Sequence, residues 1–297
     1  VVRGFAPAFV ARGAVQLSAY VDLALSSHLG TGAQAALGYA QQIYLLPVGL
    51  FGMSVSAAQL PEMARAVGGA DAVHAALRER LSAGLRTVAF FVVPSLVAFA
   101  ALGDVVAGLV FQTGRFGRAE SVYVWGVLAG SAVGLLASTL GRLYASTFYA
   151  LHDTRTPLRV ALVRIVLSVA LGWALAFPLR RAWGIDPRWG AAGLTLASGL
   201  AGWVEYLLLR ARLDARVGRT RLAPGFLARV WAAALAAAAA GWGVRGVVGG
   251  ERPLVDGLAV LASFAAVYGA ATLAAGVPEA RAVLRRALPR GGGRGRS

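Results

Sequence analysis

Long runs of apolar residues, separated by short polar connectors, extend along the whole chain. A helix needs about 20 residues to cross ~30 Å of hydrocarbon, and open sheets are not tolerated in lipid. The pattern therefore predicts an all-α, polytopic transmembrane helical bundle of about eight transmembrane helices. We place the apolar runs near 7–29, 33–60, 84–103, 121–149, 158–178, 191–210, 225–248 and 254–276.

The amino-acid composition indicates that lipid surrounds much of the surface of the folded chain. Hydrophobic residues make up 58% of the 297 residues and charged residues 14%, against about 25% charge in soluble domains. The net charge of +16 comes from arginines that lie in connectors, so nucleic acid is not the expected partner. Without cysteine, a metal-ligand pair, a phosphate loop or a nucleophile–base motif, the chain is not expected to be an enzyme.

Arginine placement predicts the topology and the division into regions. An even number of spans puts both termini on one side, and the connectors on that side carry most of the arginines, so both termini are expected to be cytoplasmic. We also expect the chain to be part of a longer polypeptide, because it begins at Val1 rather than at a Met, and its start has no features of a signal peptide. The predicted regions are a six-helix lobe (1–213), an Arg-rich cytoplasmic linker (214–224), two further transmembrane helices (225–280) and a disordered basic tail (281–297).

Local motifs add three structural expectations. The stretch 71–81 alternates apolar and charged residues at helical spacing and predicts a helix along the inner membrane surface. Pro47 and Pro94 lie inside apolar runs and should kink them. A tandem GxxxG lets another helix approach closely, either inside the same bundle or in a dimer; it consists of Gly126, Gly130 and Gly134.

Polar residues near the outer half of the first two runs are candidate functional groups, because a charge at bilayer depth costs roughly 2.5–3.5 kcal/mol on insertion scales. Asp22 either pairs with a neighbouring helix for structural reasons or forms a cation or proton site. Gln41 and Gln42 lie at similar depth, where glutamines either make interhelical hydrogen bonds or line a polar pathway.

Arg164 lies near the inner end of the fifth run. Its depth differs from that of Asp22 by about 11 Å, so a direct pair between them is not expected. Arg164 either extends to the inner interface or lines an inward-facing cavity and receives an anionic headgroup. Arg142 and Glu205 are interpreted as interfacial or packing residues.

Three stretches of the chain carry a family resemblance. The first runs from Ala36 to Val55 and ends at Gln59–Arg65, the second is Leu109–Phe116, and the third is Phe148–Pro157. Together these stretches resemble the lipid II flippases known as MurJ or MviN, which belong to the multidrug/oligosaccharidyl-lipid/polysaccharide exporter group. They occur in the family's order and between the family's spans, and the resemblance covers roughly residues 1–213.

The resemblance implies a fold of two six-helix lobes followed by two added helices, of which this chain corresponds to spans seven to fourteen. The first lobe would be missing from it. The implied activity is alternating-access transport of lipid-linked peptidoglycan precursor across the bacterial cytoplasmic (inner) membrane. The implied partners are this lipid-linked anionic substrate and membrane lipids, and the cycle would be coupled to Na⁺ or to membrane potential without another cofactor.

Substrate contacts carry over from the family only in part. Where the family reads Tyr-Ala-Asp-Arg, this chain reads Tyr39, Ala40, Gln41 and Gln42, so a neutral side chain replaces the family's cavity arginine. The resemblance implies substrate binding at Gln41 and Gln42. Together with the depth argument, it suggests that the cationic contact has moved toward the cytoplasm, to Arg164.

An ion-coupling site is also implied by the resemblance. In some members an acid matching Asp22 joins polar groups on later spans to hold sodium, and the matching positions here are Ser168, Gly172 and Ser198. Gly172 offers no side-chain ligand, so this set is incomplete as a metal site.

Other functions remain open at this level. The chain could be a diverged copy with altered or lost flippase activity, an exporter of another lipid-linked polysaccharide, or an inert membrane scaffold for cell-wall proteins. An exporter of another polysaccharide should not restore growth to a strain depleted of its lipid II flippase. A scaffold predicts that Asp22→Ala and Gln42→Ala leave function intact, whereas loss of the Arg-rich linker abolishes it.

Overall fold

The computed structural model describes residues 24–53, 70–112, 116–248 and 252–287. Every regular element in these ranges is helical and none is a strand, which confirms the predicted all-α class. The helices are α1 (Ala33–Pro47, continued by a π-helical turn, Val48–Met53), α2 (Ala70–Phe111), α3 (Arg118–Ala150), α4 (Arg155–Ala176), α5 (Pro178–Ala182), α6 (Gly190–Val217, preceded by a 3₁₀ turn, Pro187–Trp189), α7 (Pro224–Val248), α8 (Pro253–Ala274) and α9 (Pro278–Ala287).

Six helical segments in the described residues are long and apolar enough to cross a membrane. They match the third to eighth predicted runs, and each contains at least 21 residues. The second run is described as far as residue 53, and the first run, 7–29, lies mostly outside the described residues. The chain is therefore a multi-pass helical membrane protein.

The amphipathic stretch 71–81 does not form a separate surface helix, and that prediction is wrong. It is the first part of α2, which has 42 residues and whose backbone leaves helical geometry only at Leu102. A helix of this length spans about 63 Å, twice the thickness of the hydrocarbon. The polar beginning of α2 thus continues the apolar span directly.

The break in α2 is stabilised by two tryptophans from neighbouring helices. Leu102 has φ −131° and ψ 19°, which interrupts the helical hydrogen-bond ladder. Carbonyl groups before such a break need other donors in an apolar environment. The indole of Trp125 in α3 donates to the carbonyl of Ala100, and that of Trp242 in α7 donates to Ala101, each at 3.0 Å. The break therefore joins α2 to both α3 and α7.

The backbone stays helical at Pro94, so the non-helical position lies eight residues beyond the predicted kink. Proline has no N–H to donate to the carbonyl four residues earlier, which is that of Phe90. The buried hydroxyl of Tyr268 in α8 donates to this carbonyl instead. At Pro47 the α-helix passes into the π-helical turn, as expected for a proline inside the run.

Replacing Tyr268 with Phe should destabilise the protein by about 1–2 kcal/mol, because the Phe90 carbonyl would lose its donor in an apolar environment. Thermal unfolding of the purified protein in detergent measures the change. Tyr39→Phe is the matched control, since the Tyr39 ring packs against Phe111 and its hydroxyl makes no hydrogen bond to the described residues. Equal melting temperatures for the two variants would contradict this role of Tyr268.

The tandem GxxxG packs against another helix of the same bundle, which is one of the two arrangements expected from the sequence. Gly126 faces Trp189, Gly130 faces the backbone at Ala192, and Gly134 faces Gly199, so α3 lies directly against α6. A Cβ atom added at Gly199 would lie 2.8 Å from the backbone nitrogen of Gly134. This close approach fixes α3 and α6 relative to each other, and both helices line the cavity of the candidate site.

The structure shifts two predicted boundaries. α6 continues to Val217 and α7 begins at Pro224, so the connector between them is 218–223 rather than 214–224. The hydroxyl of Tyr144 in α3 donates to the carbonyl of Thr220, which holds this connector against the lobe. The tail predicted to be disordered from residue 281 instead begins as part of α9, and 288–297 lie outside the described residues.

Candidate functional site

A cavity of about 590 Å³ lies among α1, α3, α4 and α6. Each of these helices contributes polar side chains to its wall, although the runs from which they come are largely apolar. The polar lining residues are Gln34, Gln41, Tyr44, Ser131, Ser138, Arg142, Arg164, Thr195, Ser198 and Glu205. The cavity can therefore accommodate a polar group inside the helical bundle, whereas the surrounding lipid cannot solvate such a group.

Hydroxyl groups satisfy one another or the backbone along this wall. Tyr44 of α1 and Ser138 of α3 are hydrogen-bonded at 2.8 Å. Thr195 of α6 donates to the carbonyl of Val127, 2.9 Å away in α3. These contacts bind α1 and α6 to α3 along the cavity wall.

The structure brings together some of the predicted substrate residues. Gln41 and Arg164 both line the cavity, from α1 and α4 respectively. Gln42 is exposed and does not belong to the lining, because the next residue in a helix points about 100° away from its neighbour. The predicted substrate contact at Gln42 is therefore not part of this cavity.

The predicted ion-coupling residues are more dispersed. Ser198 lines the cavity, whereas Ser168 is buried on the face of α4 that packs against α6. The Ser168 hydroxyl has no hydrogen-bond partner within the described residues, and Gly172, one turn further on, faces Leu194. Asp22 lies outside the described residues. Among the residues implied to bind sodium, those that the structure describes thus offer only hydroxyl groups as side-chain ligands.

Arg164 pairs with Glu205, which the sequence pattern indicated to be an interfacial or packing residue. The guanidinium Nη1 lies 3.2 Å from the carboxylate Oε2, so the pair links α4 to α6 at the cavity wall. A carboxylate twelve residues before the end of α6 requires a partner at membrane depth. The need for a partner was the one sign in the sequence that Glu205 forms an ion pair. Arg164 could be identified as that partner only from the contact between α4 and α6.

A second arginine occupies the same level of the cavity. Arg142 lies eight residues before the end of α3, and Arg164 lies nine residues after the start of α4. Both are therefore about 12–14 Å from the turn that connects the helices. Within the described residues Arg142 has no ion-pair partner, so this level carries two positive charges and the one negative charge of Glu205.

The turn between α3 and α4 is organised by Asp153, which lies in the third family-like stretch. One carboxylate oxygen accepts from the backbone N–H groups of Arg155 and Thr156, each at 3.0 Å. The other accepts from the Thr156 hydroxyl and from Arg216 of α6, each at 2.7 Å. Burial opposes ionisation, yet these hydrogen bonds lower the pKa of Asp153 from 3.8 to about 2.

Asp153→Asn should lower the free energy of unfolding by about 2 kcal/mol at neutral pH, since a lowered folded-state pKa stabilises the ionised folded form. The stabilisation is complete above pH ~4 and disappears as the pH falls through about 2. Melting temperatures of both proteins in detergent should therefore converge between pH 4 and pH 2. Asp186→Asn, at an exposed turn, is the control and should change the melting temperature little. A difference that is independent of pH would contradict this account.

The chain is similar to known proteins over most of its length. The family model for lipid II flippase MurJ matches residues 1–251. The "probable lipid II flippase MurJ" of Rhizobium meliloti (strain 1021) is 32% identical over 207 residues, and the lipid II flippase MurJ of Burkholderia cenocepacia is 28% identical over 228 residues. These alignments cover 70% and 76% of this chain.

The fold is similar to a solved structure of a lipid II flippase MurJ in an inward closed conformation. The TM-score is 0.75 with 20% sequence identity, over 95% of this chain and 54% of that chain. This chain spans 36% of the Rhizobium protein and 42% of the Burkholderia protein. The family match covers most of its residues, and the chain therefore belongs to the MurJ lipid II flippase family.

Proposed function

We propose that this chain forms the second lobe of a lipid II flippase in the bacterial inner membrane. The observation that carries the proposal is the cavity with Arg142 and Arg164 at membrane depth, in a chain whose family model is that of lipid II flippase MurJ. The chain would act together with a first lobe, and both its termini would lie in the cytoplasm. Polar walls inside an apolar bundle match the need to carry a charged headgroup past lipid.

The transported headgroup would enter the cavity and contact Arg164 and Gln41, while its lipid tail remains outside the bundle. Guanidinium groups suit this role because they donate several hydrogen bonds to phosphate oxygens in a fixed geometry. The cavity would open alternately to each side of the membrane. No bond is made or broken in this process, so the chain would act as a transporter without enzymatic activity.

Coupling of the cycle to Na⁺ or to membrane potential is part of the proposal. Asp22 would supply the charge, with Ser168 and Ser198 as neutral oxygen donors. Support in the described residues comes from the buried, unpartnered hydroxyl of Ser168. Measuring transport at imposed Na⁺ gradients and membrane potentials, in the native protein and in Asp22→Asn, would separate the two driving forces.

The experiment that tests the function is complementation by the complete protein of a strain depleted of its own lipid II flippase. Restored growth, together with flipping of lipid II in proteoliposomes, is the expected result. An exporter of another lipid-linked polysaccharide would fail both assays. A scaffold would restore neither growth nor flipping, and its own role would tolerate Asp22→Ala and Gln42→Ala while requiring the Arg-rich connector.

A further inference from the structure

Two ion pairs between helices of this protein are tightly closed. Arg245 of α7 binds both carboxylate oxygens of Asp104 in α2, at 3.0 and 2.7 Å. Arg86 of α2 binds both oxygens of Glu279 in α9, at 2.7 and 3.3 Å. Two parallel hydrogen bonds between a guanidinium and a carboxylate give strength and fixed geometry. These pairs hold α7 and α9 against α2.

The pair at the cavity wall is looser. Its shortest nitrogen–oxygen distance, between Arg164 and Glu205, is 3.2 Å, against 2.7 Å in each of the two closed pairs. The Arg164 side chain is 35% exposed and that of Glu205 is 18% exposed, and both face the cavity. A guanidinium has five N–H donors, so Arg164 keeps donors that an anion in the cavity can reach.

We infer that Glu205 is a resident counter-ion that occupies Arg164 in the empty cavity and is displaced when an anionic headgroup arrives. The inference rests on the proposed transport function and adds a positioning residue to it. A diphosphate competes well against one carboxylate, because it carries more charge and more acceptor oxygens for Arg164 and Arg142. Neutral and weakly anionic headgroups compete poorly, so Glu205 also contributes to selection of the substrate.

Glu205 has a second consequence for release of the headgroup. Without its carboxylate, Arg142 and Arg164 would present two positive charges at one level, and the described lining residues would offer no other carboxylate to replace the departing headgroup. The returning carboxylate restores the pair on α4 and lowers the cost of leaving Arg164 unpaired at membrane depth. Glu205 thus weakens binding and speeds turnover at the same time.

The test compares Glu205→Gln with Glu279→Gln in the complete protein, using lipid II binding in detergent and flipping in proteoliposomes. Glu205→Gln should bind lipid II about two- to fivefold more tightly, as expected for removal of one competing, partly exposed ion pair. Its turnover at saturating substrate should fall several-fold. Glu279→Gln loses a closed pair outside the cavity and should change neither constant, although its melting temperature should fall. Glu205→Asp keeps the charge on a shorter side chain and should lie between the native protein and Glu205→Gln.

Each outcome has a distinct meaning. Unchanged or weaker binding in Glu205→Gln would overturn the counter-ion role, and so would a Glu205→Asp protein that binds as tightly as Glu205→Gln. If Glu205→Gln does not fold, Glu205→Asp decides alone: binding no tighter than native would overturn the role. Failure of the proposed function is recognised separately, because the native protein would then neither bind nor flip lipid II.

Discussion

Replacing Gly134 with Ala is expected to destabilise the bundle by about 3 kcal/mol, the upper part of the usual range for overpacking. The new Cβ would overlap the Cα of Gly199 in α6. Both sides of this contact are backbone, so no flexible side chain can move to make room. The two helices would have to separate, and Trp203, which donates to the carbonyl of Val133 at 2.8 Å, would lose its geometry. Thermal or denaturant unfolding in detergent measures the effect.

Gly202→Ala is the matched control for this prediction. Gly202 lies in α6, three residues beyond Gly199, and a Cβ there would meet nothing within 4 Å. Alanine is favoured over glycine inside a helix by up to about 1 kcal/mol, so the control should be neutral or slightly stabilised. Similar stability for the two variants would show that the α3–α6 approach is not tight.

The sequence predicted most of the fold because lipid permits few alternatives. Apolar runs long enough to cross the membrane must be helical, and the third to eighth runs are candidate spans in the structure. The glycine spacing of α3 indicated a close helix contact before its partner was known. These predictions needed only local patterns, namely length, hydropathy and a four-residue repeat.

The sequence was less informative about where a helix begins or breaks and about which distant residues are in contact. Nothing local distinguishes the polar start of α2 from a separate surface helix, because both are amphipathic and helical. The break at Leu102 could not be predicted from local sequence either. The carbonyl groups before it accept hydrogen bonds from tryptophans that lie 23 and 140 residues beyond Leu102. Glu205 is 41 residues from Arg164, and depth alone did not identify it as the partner.

Replacing Arg164 with Gln in the complete protein should reduce lipid II flipping at least tenfold, as expected for loss of one charge-assisted phosphate contact. Growth supported by the variant in the depleted strain should fall accordingly. Arg159→Gln is the control, because Arg159 is exposed on the same helix and does not line the cavity. Native flipping and growth with Arg164→Gln would contradict a headgroup contact at this position.

Arg164→Gln also leaves the Glu205 carboxylate without its partner, so stability and binding must be separated. Removing one member of a fully buried pair costs about 3–5 kcal/mol, and less is expected here because both side chains are partly exposed. The double variant Arg164→Gln/Glu205→Gln removes both charges and should recover the melting temperature of the native protein. Flipping should stay low in the double variant, because the headgroup contact is still missing. Recovery of flipping together with stability would instead mean that Arg164 serves only to neutralise Glu205.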